Sequence, residues 1–391
     1  MVGSNKKSIV FCSLALTFIA CPHPSAQTFQ SFVRRIQSVP IGLRKALTDS
    51  FMQATTPFPV TEDSLAHFII VGDSELRVSV AGDFNDWNPR SDSMRFIRGI
   101  RFRYLTKRFE KDARLEYKFI LNDADWILDP MNPRTVRGGF GPNSELAMPD
   151  YVQPAEILFN PSIPRGSIDT LQFHSAALRN DRKIFIYLPP SYFKKPKQKF
   201  PSVYLNDGGE YITLGSMVHV LDNLIHRRSI REIIAVFVDP VDRNSEYWLN
   251  NGYVEMLVGE LIPWIEARYR VLGKSSERGI MGVSLGGLSA LYGACLHPDA
   301  FGLCASQSGA VWIEGEKIVD IIRSAPIGKG RFYIDWGSYE PSISGINSRI
   351  QGILLSKGCG VKALEFHEGH SWGNWRAHLD EILIYFFPLA T

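Results

Sequence analysis

At 391 residues, with 45% hydrophobic and 21% charged side chains, the chain has the composition of a globular protein and exceeds one ordinary core, which argues against disorder and predicts two domains. A formal net charge of +3, without a long Lys or Arg run, leaves no electrostatic footprint for a phosphate backbone, so no nucleic-acid partner is expected.

Residues 1–26 have the layout of a secretory signal peptide. Lys6 and Lys7 precede an apolar run from Ile9 to Cys21, shorter than the roughly 20 residues a bilayer span needs, and a small, proline-containing stretch follows. The expectation is an exported protein, periplasmic or secreted. Ala26 ends one candidate cleavage site, which Pro24 fits badly; Cys21 after Ala20 offers a lipid anchor, which Phe18 fits badly. Beyond that segment stand Cys295, Cys304 and Cys359, an odd number that makes no disulfide framework. Their apolar surroundings, LYGACL and FGLCAS, predict buried packing.

Residues 27–59 carry apolar positions at helical spacing in FVRRI and IGLRKALTDSFMQA, predicting short helices that pack on a domain. The period then changes to two. Leu76, Val78 and Val80 alternate with polar residues, as do Leu115, Tyr117, Phe119 and Leu121 around Glu116 and Lys118, and MRFIRGIRFRYLTKRF reads as a hairpin broken at Gly99. Half-buried strands of this kind predict a small antiparallel Ig-like β-sandwich over 60–155. Its end, NPRTVRGGFGPNSELAMPDYVQP (132–154), has little periodicity and is expected to be an ordered linker. AGDFNDWNP (81–89) and DADWILDPMNPR (123–134) resemble the N-terminal β-sandwich of glycogen-branching enzymes and related carbohydrate-binding modules. That resemblance implies sugar-stacking faces at Trp87 and Trp126, whereas a tryptophan beside a turn in a small sandwich is more often a core plug.

Over residues 156–391, apolar runs (KIFIYLPP, SVYLNDGG, IIAVFVD, GIMGVS) alternate with helical patterns, which predicts an α/β domain with a mainly parallel sheet covered on both faces. Gly282-Val283-Ser284-Leu285-Gly286 closes a strand pattern and opens the helix-like LGGLSALYGACL. A serine at such a corner needs a strained backbone, and glycines two residues to either side remove side chains that would collide there. Ser284 is thus the candidate nucleophile, and it needs a base and an acid in the chain order serine, acid, histidine. His370 in FHEGHSWGNWR is the favoured base over His367, because Gly369 lets the loop after ALEFH turn inward. HEGH is one residue too short between its histidines for the helical zinc motif. In RFYIDWGSYEP the loop residue Glu340 is the preferred acid and Asp335 the alternative. The N–H of Leu285 is one oxyanion donor, and VYLNDGGEY supplies a second, with Gly209 the first choice.

LNDGGEY, MGVSLGG, WGSYEP and EGHSWGNWR together resemble the esterase-D-like α/β-hydrolases, which include enterochelin, feruloyl and acetylxylan esterases and mycolyltransferases. A β-sandwich ahead of the hydrolase is similar to the enterochelin esterases. The resemblance implies ester hydrolysis through an acyl-enzyme on Ser284, with His370 as base and Glu340 as acid, and no metal or organic cofactor. Tyr211, Arg243, Tyr339, Trp372 and Trp375, with Asn206 and Tyr247, are candidates to line the cleft, although aromatics at a sheet end often only pack, and Arg243 or Glu246 equally suits an ion pair that fixes its loop. The expected partner is a small-molecule or glycan ester, either a siderophore or an acyl- or feruloyl-decorated sugar. The rival functions are a glycan-binding protein with a hydrolase scaffold and an acyltransferase to a sugar hydroxyl.

Overall fold

The computed structural model describes residues 28–55, 57–72, 76–139 and 141–389; the signal segment expected over 1–26, with Cys21, lies outside them. The described chain opens with helix Phe29–Ser38, capped by Thr28, whose Oγ1 accepts the Ser31 N–H. Phe29, Phe32, Val33 and Ile36 fall on one face of this helix and bury against Ile69, Ile97 and Phe102. Helix Ile41–Ala54 is mostly exposed and is tied down through Phe51, stacked on Phe32 with 3.9 Å between ring centroids.

Nine short strands follow: β1 (Val60–Glu62), β2 (Leu65–Val71), β3 (Val78–Gly82), β4 (Arg95–Ile97), β5 (Phe102–Arg108), β6 (Arg114–Leu121), β7 (Asp125–Ile127), β8 (Thr135–Gly138) and β9 (Gly141–Ala147). They form two sheets, β1-β2-β5-β4 and β3-β6-β9-β8 with β7 on β6, every pairing antiparallel. The sheets enclose Phe68, Ile70, Val80, Leu115, Tyr117, Phe119 and Leu146, the core of a sandwich.

Three expectations need correction here. The stretch expected as a linker contains the β8–β9 hairpin. Ser144, Glu145 and Leu146 are consecutive buried residues, so no alternation marks that strand. Glu116, expected on a solvent face, is 1% exposed, because the start of β6 lies against the second domain: the Arg114 N–H donates to the His367 carbonyl at 3.0 Å. Trp126 is no core plug, since it is 43% exposed and stacks on Trp87 with 6.4 Å between centroids.

The second domain is built on β10 (Ser167–Ser175), β11 (Asn180–Leu188), β12 (Ser202–Asn206), β13 (Ile234–Val238), β14 (Arg278–Val283), β15 (Leu303–Gln307), β16 (Arg331–Gly337) and β17 (Gly360–Phe366). Their order is β10-β11-β13-β12-β14-β15-β16-β17, with β11 antiparallel to both neighbours and the remaining pairs parallel. Strands β12 to β15 are buried along their whole length; β12, β13 and β14 read as mainly apolar runs, whereas β15 carries the buried polar residues Ser306 and Gln307 and has no such signature. Helices Leu285–Leu296, Ile313–Ser324 and Pro341–Ser356 pack on one face, and Met217–His226 and Leu379–Phe386 on the other. The strand order reverses at β12, so the carboxyl ends of β12 and β14 flank a crevice of the kind in which open α/β sheets place their sites. Cys295, Cys304 and Cys359 are buried free thiols. Among the described residues no helix is long and apolar enough to cross a membrane.

Candidate active site

Ser284 occupies the turn between β14 and helix Leu285–Leu296 with φ 54° and ψ −121°, a region a side chain rarely adopts. The surroundings enforce it. A Cβ on Gly282 would stand 2.3 Å from the Gly286 carbonyl carbon, and one on Gly286 would stand 2.8 Å from Asp207 Oδ2. The Ser284 N–H donates to the Gln307 carbonyl at 2.9 Å, and its own carbonyl accepts from Ala310 at 2.9 Å and Leu288 at 3.1 Å. A conformation this costly persists only where neighbours over-determine it.

The loop after β17 brings His370 Nε2 to 2.9 Å from Ser284 Oγ. On its other side His370 Nδ1 lies 2.5 Å from Glu340 Oε1, from the loop after β16. With the Nδ1 proton donated to the carboxylate, Nε2 is left to accept the serine hydroxyl proton. Trp375 packs its ring edge-on to the imidazole at 5.0 Å between centroids. The second Glu340 oxygen accepts from Ser308 Oγ at 2.6 Å and the Gly337 N–H at 2.7 Å, so the carboxylate is held with one oxygen aimed at the histidine. Ser308 and Gly337 were not anticipated. Their only mark in the sequence is position, directly after β15 and at the end of β16; a Cβ on Gly337 would lie 1.9 Å from the Glu368 carbonyl oxygen.

The rejected candidates have other employment. His367 meets Asp112 Oδ1 at 2.7 Å on the exposed rim. Asp335 lies within β16, fully buried, and accepts from Gln307 Nε2 at 3.0 Å. Burial pushes its carboxyl up to about 7.

Of the oxyanion candidates, Leu285 is the first residue of its helix, so its N–H has no carbonyl in the preceding turn to bond. The Gly209 N–H, expected to stand free, instead donates to Asp239 Oδ1 at 2.6 Å. Arg243 reaches the elbow: Nε and Nη2 grip the buried Asp207 carboxylate at 2.8 Å each, and Nη2 leans on the Val283 carbonyl at 3.4 Å. Burial would lower its pKa, but the Asp207 hydrogen bonds and charge outweigh this and hold the guanidinium above its ordinary value. Glu246 lies elsewhere, paired with Arg182 at 2.9 Å.

Expected cleft aromatics are mostly packing. Tyr211 and Tyr247 are wholly buried, and Trp372 is 2% exposed with its indole N–H on Glu210, so none presents a face to a ligand. Asn206 is also buried, donating to the Gly286 carbonyl at 2.9 Å. Tyr339 is half-buried at the seam between domains, where its hydroxyl donates to Glu110 at 2.6 Å. Among the described residues no cluster of His, Cys, Asp or Glu is arranged to hold a metal.

This sheet order, with a strained serine turn at the end of its fifth strand in chain order, is the α/β-hydrolase fold. A family model described as "Putative esterase" matches residues 175–386, so the chain belongs to that esterase family and is an ester hydrolase. It is 27% identical over 277 residues to the iron(III) enterobactin esterase of Escherichia coli O6:H1, a match spanning 66% of this chain and 66% of that relative. It is 25% identical over 240 residues to an endo-1,4-beta-xylanase/feruloyl esterase of Xylanibacter ruminicola, covering 57% of this chain and 32% of the relative. The crystal structure of ferric enterobactin esterase from Salmonella typhimurium superposes with a TM-score of 0.74 at 22% identity, covering 86% of this chain and 98% of that one, sandwich included.

Proposed function

We propose that the protein is an exported serine carboxylic-ester hydrolase of siderophore-type esters. His370 Nε2 takes the Ser284 proton as Oγ attacks the ester carbonyl, and Glu340 stabilises the imidazolium that forms. The Leu285 N–H faces the developing oxyanion, joined by Gly209 once Asp239 moves aside. The imidazolium returns its proton to the departing alcohol, and water, activated by the same nitrogen, releases the acid and restores Ser284. The observation that carries this reading is the bridging imidazole, 2.9 Å from the hydroxyl and 2.5 Å from the carboxylate.

Relatedness to iron(III) enterobactin esterase over 277 residues supports a siderophore ester as substrate. Kinship with a feruloyl esterase supports acyl-decorated sugars as the second reading. Export rests on the pattern of residues 1–26, Cys21 being the point of attachment if the mature chain is lipidated. Purified protein incubated separately with a catecholate trilactone, feruloylated arabinoxylan fragments and acetylated xylan, and followed by product mass, tests the choice. Opening of the trilactone by wild type and not by Ser284→Ala is expected. Turnover confined to the feruloyl or acetyl sugars would replace the siderophore reading with the second, and acyl groups appearing on added sugar acceptors would make the enzyme a transferase.

A further inference from the structure

The loop that carries His370 is pressed against the sandwich from end to end. At its start, the Arg114 N–H donates to the His367 carbonyl at 3.0 Å, and Arg114 pairs with Glu368 in a parallel β-bridge. In its middle, a Cβ on Gly369 would lie 2.2 Å from Asp83 Cγ, and Arg114 Nη1 donates to Ser371 Oγ at 3.1 Å. At its end, a Cβ on Gly373 would lie 1.8 Å from Arg114 Nη1. The imidazole is thus bracketed by glycines that leave room for two sandwich side chains.

Those side chains are themselves fixed. Arg114 is wholly buried, with Nε and Nη2 on Glu145 Oε2 at 3.0 and 2.8 Å and Nη1 on Glu116 Oε1 at 3.0 Å. Asp83 accepts the Glu116 N–H at 2.7 Å and the Trp87 indole N–H at 3.1 Å. Burying this many charges adds little stability over an apolar seam, because desolvation offsets the attraction. Its distinctive product is geometric, since a guanidinium bonded through all three of its nitrogens cannot slide as an aliphatic contact can. Catalysis by an imidazole is sensitive to such slippage, because a displacement of about 1 Å can cost on the order of a hundredfold in rate.

We propose that the β-sandwich is a working part of the active centre: through Arg114 and Asp83 it clamps the His370 loop, and Arg114 is a positioning residue for ester hydrolysis. The inference rests on reading Ser284 and His370 as the reacting pair. It gives the first domain a role that needs no contact with substrate, so the role extends to esters too small to reach the sandwich.

The test is steady-state hydrolysis of a small chromogenic acetate by the full chain carrying Arg114→Gln, Arg114→Lys or Gly373→Ala, with folded protein quantified by circular dichroism and gel filtration. Gly373→Ala keeps every charge and only forces the loop off the guanidinium, so it decides the matter if the Arg114 variants do not fold. The expected result is a fall in kcat of about 10- to 100-fold per folded molecule with KM within about twofold, and a partial recovery in Arg114→Lys relative to Arg114→Gln. A lowered melting temperature with unchanged kcat in the folded variants would overturn the proposal, as would a rise in KM alone. Ser284→Ala is run alongside: if it matches wild type, the underlying serine reading fails, whereas an inactive Ser284→Ala beside fully active clamp variants removes the clamp alone.

Discussion

Glu340 and His370, thirty positions apart in sequence, meet at 2.5 Å, while Asp335 on the same strand-loop segment bonds Gln307 instead. Glu340→Gln is therefore expected to lower kcat by about 10³- to 10⁴-fold on any ester, because the amide favours the wrong imidazole tautomer and removes the charge opposite the imidazolium. Asp335→Asn is expected to stay within about tenfold of wild type, since a group outside the proton relay supplies no general acid–base contribution. Parallel kinetics on the two variants check this, and equal losses would remove Glu340 from its assigned role.

Asp335 has a second consequence, for stability. Its folded carboxyl is pushed up to about 7 by burial, against roughly 3.9 when unfolded. The folded state then binds the proton more tightly, so this group's contribution is fully present below about pH 4 and is lost as pH rises towards 7. Asp335→Asn removes that dependence. Thermal melts should show the variant gaining on wild type between pH 5 and pH 8; a difference that does not change with pH would contradict this.

Gly282 leaves no room for a methyl group, its hypothetical Cβ lying 2.3 Å from the Gly286 carbonyl carbon. Backbone on both sides must move, so Gly282→Ala should destabilise the fold by about 1–3 kcal/mol and lose activity beyond that expected from the unfolded fraction. Denaturant titration beside activity per folded molecule separates the two effects. An active Gly282→Ala would mean that the corner is less constrained than its contacts imply.

Asp239 accepts the N–H of Gly209, the proposed second oxyanion donor, at 2.6 Å. If that donor serves the transition state, Asp239→Ala uncovers it, and kcat should rise or stay within about threefold, whereas losing a true oxyanion donor costs roughly 10²- to 10³-fold. A collapse of that size in Asp239→Ala would assign the Asp239–Gly209 bond to the scaffold and the donor to another residue.

What was legible in the sequence follows from how local each constraint is. Buried parallel strands are mainly apolar, so β12 to β14 announce themselves, whereas β15, with Ser306 and Gln307, does not; the steric demand of the Ser284 corner is written within five residues. From the sequence, Glu340 is preferred over Asp335 on its loop position, but Asp335 stays open as the alternative, because the choice depends on where β16 ends and on Ser308, which arrives from another loop. Tyr211 and Trp372 were misplaced for a related reason: an aromatic at a sheet end has the same local pattern whether it packs or lines a cleft. The occupation of Gly209 by Asp239, and of the His370 loop by Arg114, joins residues far apart in the chain. Period-two alternation around Glu116 said only that one face of β6 was polar; that this face meets a second domain is a property of the assembled molecule.

The most direct measurement is covalent capture. Intact-mass and peptide mapping after treatment with a fluorophosphonate should find one adduct per molecule, on Ser284, absent from Ser284→Ala and formed at least about a hundredfold more slowly in His370→Ala. An adduct on another residue, or undiminished ester turnover by Ser284→Ala, would contradict the nucleophile assignment and the mechanism built upon it.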